Sequence, residues 1–134
     1  MVKKIIHISG KRKRAIARAT LKEGKGLVRI NNHSLDTFQD FVKEKISEPL
    51  ILAGDMAKGI NINVNVIGGG WQGQTEATRL AIARGLVEWH KSDALKKRFL
   101  EYDRHLIVAD VRRNEPAKPN DSGKPRAKRQ KSYR

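Results

Sequence analysis

Gly68, Gly70 and Gly73, within the stretch VIGGGWQGQ (Val66 to Gln74), keep the spacing G-x-G-x-x-G between an alternating, strand-like run and a helix-like run. Gly68-Gly69-Gly70 end the strand, and the helix is expected to open near Gln74. Such a turn can cradle a phosphate: it lacks side-chain bulk, and the following helix offers free N–H groups and the positive end of its dipole. Either a dinucleotide cofactor or the backbone of a nucleic acid supplies such a phosphate. A dinucleotide site also needs an acid about 20 residues past the first glycine, at the end of a second strand. Glu88 has that offset but falls inside the helix running from Thr75, and no second parallel strand follows. No cofactor is therefore expected. The alternative to phosphate binding is a turn whose glycines serve only close strand–helix packing.

Other catalytic chemistry finds no set of residues. His7, His33, His90 and His105 show no i, i+3 or i, i+4 pairing and no acid spacing of a metal site. Ser9 and Ser92 have no histidine–acid partnership that the sequence can support. The absence of cysteine removes thiolate chemistry. Asp103 and Asp110 are expected to neutralise neighbouring arginines.

The cations are distributed unevenly. Residues 3–25 hold nine Lys or Arg against Glu23 alone, a net of +8. Residues 111–134 hold nine against Glu115 and Asp121, a net of +7, while residues 26–110 hold eleven of each sign. Charge segregated in this way points to a polyanion. Neither end carries the basic amphipathic helix with bulky anchors that a membrane surface requires, and no run approaches the ~20 apolar residues of a span. A cytosolic location follows by default. Lys11-Arg12-Lys13-Arg14, continued by Arg18 and Lys22 along one strand face, form the first candidate RNA site. Arg112 and Arg113 open the second cationic end. From Ser122 to Arg134 the chain holds Lys124, Arg126, Lys128, Arg129, Lys131 and Arg134 and no acid. Thirteen extended residues reach roughly 40 Å. Stacking aromatics are nearly absent there, Tyr133 excepted, which favours contacts to phosphate and to RNA shape over sequence readout.

The elements that must position these residues follow from periodicity. Lys4 to Ser9 and Arg14 to Lys22 read as strands, the second with Ala15, Ala17, Ala19 and Leu21 on one face. Glu23 to Gly26 reads as a hairpin turn that returns Leu27 to Asn31 as the partner strand, before Asn31-Asn32-His33 break out of the sheet. Thr37 is placed to cap a helix with Phe38, Phe41, Val42 and Ile46 facing the core, Pro49 to start a second helical turn after a kink, and Gly54 to end it. Ile60 to Val66 alternates cleanly, with Asn61, Asn63 and Asn65 outward. Thr75 to His90 and Asp93 to Glu101 are helical, the latter capped by Ser92, with Leu95 and Phe99 inward. Arg79 and Arg84, about 140° apart on an ideal helix, are expected to serve different contacts. Past Asp103 the periodicity stops, and the Pro-rich end is too polar to order itself unbound. The chain thus reads as one α+β domain over residues 1–103, a largely antiparallel sheet covered by helices, followed by an extended basic tail over 104–134.

Three blocks resemble a known family, that of the ninth small-subunit ribosomal protein: GKRKRAIARATLKEGKGLVRIN (Gly10 to Asn31), GGGWQGQTEATRLAIARGL (Gly68 to Leu86) and the terminal QKSYR (Gln130 to Arg134), which is of archaeal and eukaryotic type. The resemblance implies a ribosomal-protein-S5-domain-2-like fold in the head of the small subunit, with ribosomal RNA and neighbouring ribosomal proteins as partners. It also implies a tail that runs to peptidyl-site tRNA, where Lys131 and Arg134 would touch anticodon-stem-loop phosphates with Tyr133 between them. Two positions depart from the family pattern. Gly85 stands where many members carry alanine, and NDSG (Asn120 to Gly123) replaces a more basic stretch. A free-standing basic RNA chaperone would share the charge without needing the folded glycine turn.

Overall fold

The structure, a computed structural model, describes residues 3–119 and Pro125. Strand β1 (Ile5–Arg12) turns through Lys13-Arg14 alone into β2 (Ala15–Glu23), and the two pair antiparallel from Ile5↔Lys22 to Arg12↔Ala15. β1 runs on past Ser9 because Gly10, Lys11 and Arg12 keep the register that β2 offers. The small residues of β2, Ala15, Ala17 and Ala19, are buried together with Leu21.

β2 does not pair with the segment that follows it. Strand β3 (Val28–Ile30) lies parallel to β5 (Ile60–Ile67), and β5 sits between β3 and β2, giving the order β1-β2-β5-β3-β4, where β4 is His33–Ser34. This corrects the hairpin expected at Glu23–Gly26. The physical reason is the capture of that loop by the start of β5. Asn61 Oδ1 accepts from the N–H groups of Lys25 (2.9 Å) and Leu27 (3.1 Å), and Gly24 donates to the Gly59 carbonyl at 2.8 Å. The chain thereby passes round the end of β5. β5 in turn offers β2 a matched apolar face, from Ala17↔Val66 to Leu21↔Ile62. Asn31 and Asn32 take positive φ (49° and 66°) and turn β3 into β4, so the chain stays in the sheet there for two more residues.

Helix α1 (Asp40–Ala53) also departs from expectation. Thr37 does not cap it; its hydroxyl donates to the Ser34 carbonyl at 2.8 Å within a short 3-10 turn, and Gln39 precedes the helix without a side-chain cap. Pro49 is buried inside the continuous helix instead of starting a new turn, and Gly54 ends it at φ 58° as expected. Ile46 is buried and Phe38 and Val42 are half-buried, but Phe41 points outward.

Helix α2 (Trp71–His90) starts at Trp71, with Gly70 as its N-cap, so Gly73 and Gln74 lie in its first turn. The helix opens early because Gly68 and Gly69 complete the turn alone, and Gln74 N–H already donates to the Gly70 carbonyl at 2.9 Å. Its buried face includes Ala77, Leu80, Ala81, Ala83 and Leu86. Gly85 is a fit to the sheet: a Cβ there would lie 2.7 Å from Leu21 Cδ1 and 3.2 Å from Ile8 Cγ2. Helix α3 (Asp93–Tyr102) is capped by Ser92 Oγ, which accepts from Leu95 N–H at 3.3 Å, and buries Leu95 and Phe99. After it a 3-10 turn, Arg104–Leu106, inserts Leu106 fully into the core.

The inward faces of β1, β2 and β5 all meet the helices. The opposite face of the sheet, bearing His7, Ser9, Lys11, Arg18, Lys22, Asn63 and Asn65, is exposed. The result is a largely antiparallel sheet covered by helices on one side, as the S5-domain-2-like expectation requires. The expectations for residues 120–124 and 126–134 lie outside the described residues.

Candidate nucleic-acid interface

The cationic β1–β2 turn and the glycine turn, far apart in sequence, meet at one end of the sheet. The glycine turn is seated on the β1–β2 turn: Gly68 has φ 79°, and a Cβ there would lie 2.5 Å from the Arg14 carbonyl oxygen. Gly69, at φ 66°, would bring a Cβ to 3.1 Å from the Ala15 nitrogen. Left-handed φ and this proximity both require glycine. Gln74 completes the turn by donating its amide to the Gly68 carbonyl at 3.1 Å. Packing therefore accounts for these two glycines. Gly70 differs: it is extended, and nothing lies within 4 Å of where its Cβ would be. It faces a hollow lined by Arg12, Lys13, Arg14, Gly69 to Gly73 and Asn114, with no acid in the wall. Gly73 would place a Cβ 3.5 Å from the Arg12 carbonyl, an ordinary contact.

From this corner the exposed sheet face extends in rows set by register. Ser9, Arg18 and Asn65 form one row, and His7, Thr20, Asn63 and Arg29 the next. No Asp or Glu points from these strands to that face, because Glu23 shares the parity of the buried alanines. Lys11, Lys13, Arg14, Arg18, Lys22 and Arg29 form no hydrogen bond or ion pair with any described residue. Sequence reasoning missed Arg29. It reaches this face only through the parallel pairing of β3 with β5, for which the sequence carries no local signal.

The remaining arginines are held by the protein. Arg12 ends β1 on the inward face; its Nε donates to Glu76 Oε2 at 2.5 Å and its Nη2 lies 3.5 Å from Asp110. Arg79, only 7 % exposed, joins Glu48 of α1 and donates from both Nη atoms to Asp103 Oδ2 at 3.1 Å. Arg84 donates from Nε to the Ile107 carbonyl at 2.8 Å and from Nη1 to the Ser9 carbonyl at 3.4 Å. The two helix arginines thus serve different contacts, as their angular separation implies. Arg112 grips Asp110 with Nε and Nη2 at 3.0 and 2.6 Å, while Arg113 donates to the Asp110 and Arg112 carbonyls. The side chain and the N–H of Arg112 hold the Asp110 carboxyl far below the usual carboxylate range, and that side-chain bond raises Arg112 in turn. Burial pushes Asp103 up, but hydrogen bonds from the His105 N–H and from Arg79 outweigh it, leaving the carboxyl lowered. Asp103 and Asp110 neutralise arginines, as expected.

His90 Nε2 lies 2.7 Å from the Met56 carbonyl, His105 Nδ1 3.4 Å from the Val108 carbonyl and His7 Nδ1 3.1 Å from Thr20 Oγ1. No three potential metal ligands converge among the described residues, and no helix there is long and apolar enough to cross a membrane. Lys124, Arg126, Lys128, Arg129, Lys131, Tyr133 and Arg134 lie outside the described residues.

The domain thus pairs Glu48, Glu76, Asp103 and Asp110 with its own arginines and leaves a separate cationic face open, the charge layout of a protein that meets a polyanion and not of a catalyst. The family model described as Ribosomal protein S9/S16 matches residues 10–134, and the chain belongs to that family. Relatives from two strains of Methanococcus maripaludis, each named small ribosomal subunit protein uS9, are 50 % identical over 133 residues, covering 98 % of this chain and 99 % of theirs. A relative of the same name from Methanococcus vannielii is 48 % identical over the same span. The chain is accordingly a structural constituent of the small ribosomal subunit and not an enzyme, located on the ribosome in the cytoplasm. Ribosomal RNA and other subunit proteins are its partners.

Proposed function

We propose that the exposed sheet face and the adjoining turn bind ribosomal RNA in the subunit head, and that the basic tail reaches peptidyl-site tRNA. The observation that carries the first part is the sorting of charge. Lys11, Lys13, Arg14 and Arg18 pair with none of the described residues, and no carboxylate of the strands points to their face, beside the open Gly70–Gly73 segment; Lys11 also borders the hollow that holds Glu76, Asp103 and Asp110. Unneutralised cations on one side of a fold match the phosphates of a polyanion. Arg12, Arg79, Arg84 and Arg112 support that face from within, by fixing the β1–β2 turn, α2 and the chain after Leu106. Arg113, Lys124, Arg126, Lys128 and Arg129 continue the RNA contacts along the tail, and Lys131, Tyr133 and Arg134 meet the tRNA. The tail's support is its composition, six cations and no acid from Ser122 onward.

Deleting Lys131 to Arg134 tests the division of labour. The shortened protein should still enter small subunits, and those subunits should hold peptidyl-site tRNA more weakly than subunits carrying the full chain. Unchanged tRNA affinity removes the tRNA assignment. A shortened or full-length protein that sediments free of subunits is the outcome a free-standing RNA chaperone gives.

A further inference from the structure

The aromatic pair beside the glycine turn has no part in the contacts described so far. Trp71 opens α2 and is 57 % exposed; Phe41, in the first turn of α1, is 52 % exposed. Their rings meet edge to face, with centroids 5.8 Å apart and planes at 82°. Adjacent exposed rings on a small domain mark a surface that a partner covers.

Trp71 is the wall between two hollows. On one side stand Lys13 and Arg14, in a lining without carboxylates. On the other side Phe38, Val42, Ile46 and Val66 make an apolar wall. A nucleotide in an unpaired stretch of RNA offers the complementary pair of surfaces, an anionic phosphate joined to a flat base with a π-face. The polar side chains around the apolar hollow are each tied to the backbone. Asn31 bonds the Val66 backbone in both directions, Gln74 bonds Gly68, and Thr75 and Thr78 donate to the carbonyls of Trp71 and Gln74. The rest of the lining, Ile30, Phe38, Val42, Ile46 and Val66, is apolar, so recognition here is led by stacking, which every base supports.

We propose that Trp71, braced by Phe41, stacks an unpaired base of RNA whose phosphate lies against Lys13 and Arg14. This rests on the RNA-binding reading above and assigns one of its contacts to single-stranded RNA.

The chain has two tryptophans, and Trp89 is 8 % exposed. Trp89→Phe therefore leaves Trp71 as the only reporter in the full-length protein. Titration with single-stranded oligoadenylate should quench its emission, and a blunt RNA duplex should bind without comparable quenching. In the otherwise natural chain, Trp71→Ala should weaken oligoadenylate binding about 5- to 100-fold, with Trp71→Phe recovering most of the loss. Duplex affinity should stay unchanged in both variants. Oligoadenylate binding that leaves Trp71 unquenched overturns the stacking contact while the RNA-binding reading stands. So does a folded Trp71→Ala chain of undiminished affinity, and the aromatic pair then belongs to a neighbouring protein. Failure to bind either RNA overturns both. Should Trp71→Ala not fold, the quenching and the Trp71→Phe affinity decide alone.

Discussion

At the scale of single residues, the glycine turn separates packing from exposure within three positions. Gly68→Ala forces a side chain into left-handed φ, which costs about 1–3 kcal/mol, and drives a Cβ to 2.5 Å from the Arg14 carbonyl. The expected loss is about 2–4 kcal/mol. Gly70→Ala meets open space at an ordinary φ of −94° and sacrifices only N-cap preference, about 1 kcal/mol or less. Urea denaturation of the two variants checks the contrast; equal losses would mean that the seating of the turn on Arg14 is not what requires Gly68. The residue types of this turn were legible from sequence, since G-x-G-x-x-G announces close backbone approach. What the glycines approach was not legible. Gly68 meets a carbonyl 54 positions away in the chain, and nothing in the local spacing encodes that.

Among elements, the arginine–carboxylate links decide how the helices and the chain after α3 are held together. Arg79 joins α2 to Glu48 of α1 and to Asp103 at the end of α3, and Arg12 and Arg112 share Asp110. Both aspartates titrate below their ordinary value in the folded state. A carboxylate lowered by folding contributes stability that is present above its unfolded pKa, about 3.9, and is lost as pH falls through the folded value. The urea midpoint should therefore be flat above about pH 5 and fall below about pH 4. Asp103→Asn should reduce that acid-side fall while lowering stability at neutral pH. An unaltered acid-side slope in the variant would show that Asp103 carries no proton-linked stability. The pairing of these acids with arginines was readable from their surplus of basic neighbours. Strand order was not: β3 finds β5 through Asn61, whose amide oxygen gathers two N–H groups from the loop after β2. A two-glycine turn after an alternating strand looks the same whether it closes a hairpin or passes round a later strand. Thr37 misled for a similar reason, because its hydroxyl had a nearer acceptor at Ser34.

For the molecule as a whole, charge segregation was the most legible feature, because it depends on counts along the chain and not on tertiary pairing. The neutral middle builds the core, the first cationic end becomes a turn and an open strand face, and the second leaves the core after Leu106. Phosphate neutralisation by two such separate blocks should be separable by salt. Each cation that replaces one counterion on single-stranded RNA adds about 0.7 to the log–log slope of affinity against salt, so the six cations of residues 122–134 amount to a slope of about −4. Removing residues 122–134 should therefore flatten the salt dependence of RNA binding by about that amount. It should leave the urea midpoint of the domain unchanged, because the core residues among those described all precede the deletion. Arg14→Ala in the full chain should flatten the slope by only about 0.7, and both changes together should be additive if the two blocks touch different phosphates. Binding constants across a salt series for the natural chain, each variant and the pair settle this. A tail deletion that shifts affinity without altering the slope would mean that the tail acts through something other than phosphate charge.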